Sequence, residues 1–124
     1  MKKRIQHPPA YVDGVFSLFD LVDIPDEDNP DAPIRKIRAR VMGMIPFRDL
    51  SVYDRTRLTF QQAGVEITHK LAIPRWDGIS TLCVCLINGE QYKVYNVAQT
   101  TTRDGYPETE VTLITPEVQY EVDE

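Results

Sequence analysis

Cys83 and Cys85, in the stretch "LCVCL", are the first residues in this chain whose type and spacing invite chemistry. Two thiols one residue apart can form a bridge, hold a metal or act as nucleophiles. Side chains two apart on an extended strand share a face, yet they are splayed too widely for an unstrained disulfide. A zinc site needs a second pair of ligands, and the chain offers only His7 and His69 besides the thiols. A reactive thiolate needs exposure and a neighbouring base, whereas the surrounding leucines and valine predict burial. We therefore read both cysteines as small buried residues of a core strand, and expect neither a metal nor a cofactor.

The remaining candidates for chemistry are equally spare. The chain has no G-x-x-x-x-G-K-[ST] phosphate loop, no G-x-G-x-x-G, no H-E-x-x-H and no G-x-S-x-G. Its carboxylates cluster in loops and tails, where solvent leaves them ordinary acids. His69 falls on the apolar face of "VEITHKLAIPR", the place of a core or interface histidine rather than a base. No constellation combines nucleophile, base and oxyanion donors, so the expectation is a protein that is not an enzyme, with no catalytic residues.

The elements that position these residues follow from size and pattern. With 124 residues, 42% of them hydrophobic, and a net charge of −5, the chain is expected to be one soluble, unexported domain. No apolar run approaches the roughly 20 residues of a membrane span. Residues 1–13 read as an arm, basic at Lys2, Lys3 and Arg4 and extended at Pro8-Pro9. The segment "VFSLFDLVDI" reads as a strand entering a buried sheet. It is followed by "PDEDNPDAP", residues 25–33, a loop rich in acid (Asp26, Glu27, Asp28, Asp31) and expected to be mobile.

Next, "IRKIRARV" alternates Ile37, Ala39 and Val41 against Lys36, Arg38 and Arg40, so the basic face is either wet or meets an acid. The spacing predicts a short helix over about 51–63, with Ser51 as N-cap and Gly64 as its stop. A strand ended by Pro74 follows, and Trp76 beyond it is expected to cap a barrel end or anchor a partner.

Two turns then propose a three-stranded meander. Asn88-Gly89 suits a type I′ hairpin, which sets Ile87 opposite Glu90 and Cys85 opposite Tyr92. Taking Asp104-Gly105 as a second two-residue turn sets Arg103 opposite Tyr106, Ala98 opposite Val111 and Asn96 opposite Leu113. Cys83, Cys85, Tyr92, Val94, Ala98, Val111 and Leu113 would then share one core face. The opposite face carries Val84, Leu86, Tyr95, Val97 and Ile114, and needs a cover of its own. The acidic tail at 117–124 alternates Val118, Tyr120 and Val122 with polar residues; it is either disordered or adds as a strand to another chain's sheet edge. The fold class expected is mainly β: a small antiparallel barrel over 14–116 with one short helix and extended terminal arms.

Charge is unevenly placed. Residues 34–75 hold nine bases and three acids, whereas 104–124 hold seven acids and no base. One meaning is two solvated faces; another is a head-to-tail contact between copies, the arrangement that closes rings.

The order of these features, with "DGVFSLFDL", "RARVMGM", "FQQAGVEITHKLAIP", "LINGEQYKVYNV" and "TEVTLIT", resembles the head-tail joining proteins of tailed bacteriophages, also called head-closure, head-completion or stopper proteins. The likeness runs from about Asp13 to Thr115; its sharpest parts are Gly89, Tyr92 and Val94, with Gln62, Ala63 and Gly64 before them. The resemblance implies a non-enzymatic subunit of the virion neck, made in the bacterial host cytoplasm and assembled as a ring of about six or twelve copies. Its implied partners are a portal adaptor above, a tail terminator or other tail component below, and packaged double-stranded DNA, held non-specifically.

In that setting Asp26, Glu27, Asp28 and Asp31 would form the channel or gate loop, the stretch from Met42 to Leu50 being the other candidate gate. Arg35, Arg38, Arg40, Trp76, Tyr95, Val118, Tyr120 and Val122 would serve the subunit interface. Two other readings stand beside it: a tail terminator or other tail-completion ring, and a monomeric small barrel that binds a ligand or nucleic acid.

Overall fold

The computed structural model describes residues 8–40, 43–50 and 67–123. Among these residues the chain is mainly β, with strands β1 (Gly14–Ile24), β2 (Ile34–Ala39), β3 (Ile45–Asp49), β4 (Ile67–Pro74), β5 (Cys83–Ile87), β6 (Glu90–Thr101) and β7 (Pro107–Ile114). Pairing in the order β1-β3-β4-β7-β6-β5, closed by β5 against β1, makes an antiparallel barrel of six strands, with β2 added outside it. The small barrel expected from the sequence is the fold. The helix expected over 51–63, together with Gln62, Ala63, Gly64, the basic residues Lys2 to Arg4, His7, Val41 and Met42, lies outside the described residues.

The length of β1 gives it three partners. Gly14 to Phe16 pair with β3, and Ser17 to Asp20 pair with β5. Phe19 to Ile24 pair with β2. Phe19 and Asp20 have partners on both sides, so β2 and β3 follow one another along one edge of β1 while β5 holds the other. Past Leu21, whose N–H donates to the Leu82 carbonyl at 2.9 Å, β1 is paired with β2 alone. A two-stranded hairpin therefore runs beyond the barrel wall, and the acidic loop 25–33 is its tip. Asp26 organises that tip, its carboxylate accepting the Asp28 N–H at 3.0 Å and its carbonyl the Asn29 N–H at 3.2 Å.

The barrel interior is filled. Phe16, Leu18, Ile45, Phe47, Leu71, Ile73, Cys83, Cys85, Val94, Val111 and Leu113 form one buried cluster, with Trp76, Tyr92 and Val97 against its margin. A second cluster, Phe19, Ile37 and Val84, lies outside the wall and is flanked by Leu21, Leu86 and Tyr120. The second apolar face of the β5–β6 hairpin thus finds its cover in β1, β2 and the chain's own C-terminal segment. Ile45 and Phe47 also correct one expectation: residues 45–49 of the stretch from Met42 to Leu50 are a barrel strand with alternate side chains in the core, not a free gate loop.

The first hairpin has the expected register, Ile87 opposite Glu90 and Cys85 opposite Tyr92. Asn88 and Gly89 both have positive φ, 51° and 82°, as a type I′ turn requires. The second hairpin does not have the expected register. Its loop is Thr102 to Tyr106, closed by Thr102 N–H to the Tyr106 carbonyl (2.7 Å), Gly105 N–H to the Thr102 carbonyl (2.9 Å) and Tyr106 N–H to Thr102 Oγ1 (3.0 Å). Val97, not Ala98, stands opposite Val111, and Asn96 faces Thr112 instead of Leu113. A bulge at Tyr95 then sets Val94 opposite Leu113. Val94 and Val97, three residues apart, would face opposite ways on a regular strand; the extra residue lets both turn toward the core.

One ladder stops early for a chemical reason. β3 and β4 pair at Asp49 with Leu71 and at Arg48 with Ala72, and Leu50 N–H donates to the Lys70 carbonyl at 2.7 Å. Continuing this alternation makes Pro46 opposite Pro74 the next bonded pair, and neither proline has an N–H to donate. The strands part there. The resulting cleft, about 360 Å³, is walled by Gly43 to Pro46 and Ile73 to Trp76.

Candidate functional site

Apart from Tyr95 on β6, the residues expected to form an interface fall into two groups, one at the barrel mouth and one along β2. At the mouth, the inward parity of β1 (Phe16, Leu18, then Asp20) delivers a carboxylate to the end of the apolar interior. Arg40 closes on it, Nη2 donating to Asp20 Oδ1 at 2.7 Å and Nε to Oδ2 at 2.9 Å, and it also donates to the Gly78 carbonyl. This charge-assisted fork holds the Asp20 carboxyl below its usual range and raises the Arg40 guanidinium.

The guanidinium lies 5.6 Å from the Trp76 ring centre, and its Nη2 is 3.5 Å from Cys83 Sγ. Trp76 is held by its own backbone, its N–H donating to Thr109 Oγ1 at 2.9 Å and its carbonyl accepting from Gln99 Nε2 at 3.1 Å. Gly78 is required beneath the indole, because a Cβ there would stand 2.3 Å from ring atoms. Trp76 therefore caps the barrel end and forms one wall of the apolar cleft, with exposed Met44 on its rim.

Cys83 and Cys85 are both free and fully buried, as their flanking residues predict, and burial pushes the Cys85 thiol up. His69 is half-buried and meets the Tyr92 ring edge to face, centres 4.7 Å apart. It was expected as a core or interface residue, and it lies beside Tyr92 at the core margin.

Along β2 the bases of both faces meet acids of their own chain. Arg35 Nε reaches Asp23 Oδ1 at 3.1 Å, Lys36 Nζ reaches Glu121 at 3.7 Å, and Arg38 Nη2 reaches Asp123 Oδ2 at 2.6 Å. Arg48 and Lys70 likewise meet Glu108 and Glu110. Four pairs thus join the basic middle of the sequence to its acidic end within one copy, Lys36 with Glu121, Arg38 with Asp123, Arg48 with Glu108 and Lys70 with Glu110. The tail, expected to be disordered or paired with another chain, is paired in cis: Val122 bridges Ile37 in parallel orientation. Tyr120 is half-buried there, whereas Val118 and Val122 stay exposed. Tyr95, at the bulge on β6, is on the exposed surface. Glu27, Asp28 and Asp31 are exposed on the hairpin tip, with Asp26 half-buried.

Sequence reasoning missed one cluster. On the outer face, Glu108 is only 3% exposed and receives Arg48 Nη1 and Nη2, each at 2.8 Å, and the Tyr11 hydroxyl at 2.7 Å. The guanidinium lies 5.8 Å from the Tyr11 ring centre. This clasp ties the N-terminal arm to β3 and β7. The outward parity of Arg48 and Glu108 was readable, but their meeting depends on β4 lying between them.

Burial, then the Glu108 hydrogen bond, pushes the Tyr11 phenol up to about 12 from its ordinary 10.0. A raised phenol favours the folded state below pH 10 and loses that contribution as pH rises through about 12. Urea unfolding at pH 8, 10 and 11.5 is expected to show a steeper alkaline loss for the native chain than for Tyr11→Phe; parallel profiles would remove the clasp from the pH response.

Compared with known family models, curated proteins and solved structures, the chain has no match.

Proposed function

We propose that this chain is a non-enzymatic structural subunit of a phage head-to-tail connector, a head-closure protein acting as a ring. The observation that supports this reading best is the β1–β2 hairpin. It leaves a small solid barrel and ends in Glu27, Asp28 and Asp31, all exposed. In a ring these tips would converge on a channel, narrow it, and repel DNA phosphates so that the duplex passes without sticking. The filled interior leaves partner binding to the outside of the barrel. Trp76 and Met44 at the cleft offer the apolar area that a docking adaptor or tail component needs.

The test is light scattering of the purified chain, alone and after incubation with portal-containing, tail-less heads that are then re-isolated. Several copies retained per head are expected. Retention on isolated tails instead would move the chain to a tail terminator. A monomer that ignores both would favour a ligand-binding barrel, with the cleft as its site. The gate has its own check: heads carrying a chain with residues 26–31 shortened are expected to leak DNA faster, and equal leakage would sink the gating role.

A further inference from the structure

We infer that the C-terminal segment is an exchangeable strand, seated on β2 of its own copy in the isolated chain and on β2 of a second copy in the assembly. The receptor edge is specific for it. Ile37 N–H donates to the Glu121 carbonyl at 2.9 Å, and Asp123 N–H donates back to the Ile37 carbonyl at 2.8 Å. Gln91 extends this pairing from β6, its amide giving and receiving 2.8 Å bonds with the Tyr120 carbonyl and N–H. Lys36 and Arg38 set the register through Glu121 and Asp123.

The attachment is nonetheless narrow. It consists of one isolated bridge and the Gln91 bonds to Tyr120, and each ion pair has an exposed member, Glu121 or Arg38, and contributes little. Between β7 and the bridge, the segment passes over a cleft of about 240 Å³ lined by Arg35, Lys93, Pro116 and Val118. Pro116 has no N–H to continue the β7 ladder, and Val118 is 61% exposed. The segment is therefore hinged at one end and latched at the other. Exchange replaces every latch contact by the same contact with a second copy, which is why swapping an identical element costs little. An empty latch would expose the β2 edge beside Phe19, Ile37 and Val84, so the edge favours an occupant at all times.

This inference rests on the ring reading, and cysteine pairing separates the two. Lys36→Cys in one full-length chain is mixed with Glu121→Cys in another, at the concentration where the native chain assembles, and oxidised. The expected product is a covalent species of twice 14.2 kDa whose linkage mass spectrometry places between residues 36 and 121. Its yield is expected to exceed at least tenfold that of a Val12→Cys and Glu121→Cys mixture, Val12 being exposed outside the latch. Cys83 and Cys85 are buried and do not compete.

The double variant, Lys36→Cys with Glu121→Cys in one chain, is expected to lock in cis and lose assembly until reduced. A mixture that cross-links no better than the control overturns the exchange. If that chain still gathers in several copies on heads, the connector reading survives without exchange; if it does neither, both are removed.

Discussion

Glu108→Ala is expected to lower the unfolding free energy by about 3 kcal/mol. Glu108 is 3% exposed and accepts two bonds from Arg48 and one from Tyr11. Truncation leaves a guanidinium and a phenol facing a void with no carboxylate, and breaking a buried pair in this way costs about 3–5 kcal/mol. The lower end applies because the Arg48 side chain is 32% exposed and can partly rehydrate. The loss belongs to the unpaired partner more than to the pair. Arg48→Met with Glu108→Leu, which removes both charges and keeps apolar volume, is therefore expected to cost less than Glu108→Ala alone. Urea midpoints with unchanged slopes measure both; a loss below about 1 kcal/mol for Glu108→Ala would show that the clasp does not hold the arm.

Phe16→Ala is expected to cost about 3–5 kcal/mol, the range for deleting a buried aromatic ring. Phe16 is fully buried inside the barrel, its ring 6.1 Å from that of Phe47. A closed barrel cannot collapse onto the cavity without breaking wall pairings, so relaxation recovers little. Val84→Ala, in the smaller cluster outside the wall, removes two methyl groups beneath a tail that can settle, and should cost less. Thermal unfolding distinguishes them; equal losses would mean that the two clusters are packed to the same rigidity.

These expectations bear on the functional reading through position. The clasp and the latch hold the arm at Tyr11 to β3 and β7 and the C-terminal segment to β2. In the ring reading proposed above, assembly through the terminal segments would need such docks to be stable yet separable from the core. Phe16 belongs to the core and Glu108 to a dock, so Phe16→Ala is expected to lower stability and head binding together. Glu108→Ala can lower stability while leaving the Trp76 cleft intact.

Much of the wall was legible in the residues alone. Period-2 alternation and a turn whose two central residues need positive φ set the β5–β6 register locally. The burial of Cys83 and Cys85 followed from the same parity. Asp104-Gly105 resembled the same kind of turn, but Thr102 closes a longer loop with its hydroxyl and backbone, and no local pattern announces that choice or the bulge at Tyr95 that follows it. The two prolines were visible as breakers; that Pro46 faces Pro74, and so opens a cleft, required the β3–β4 register.

By itself, then, the sequence determined most of the strands though not β3, the turn at Asn88-Gly89 and the core-seeking sides of β4, β5 and β7, because these depend on neighbours within a few residues. Tertiary structure alone decided which charges meet. Arg40 finds Asp20, Arg48 finds Glu108, and Arg38 finds Asp123 across separations of 20, 60 and 85 residues. Electrostatic partnership is a matter of distance in space, and the route that closes those distances is written in the barrel's closure rather than in any segment of the chain.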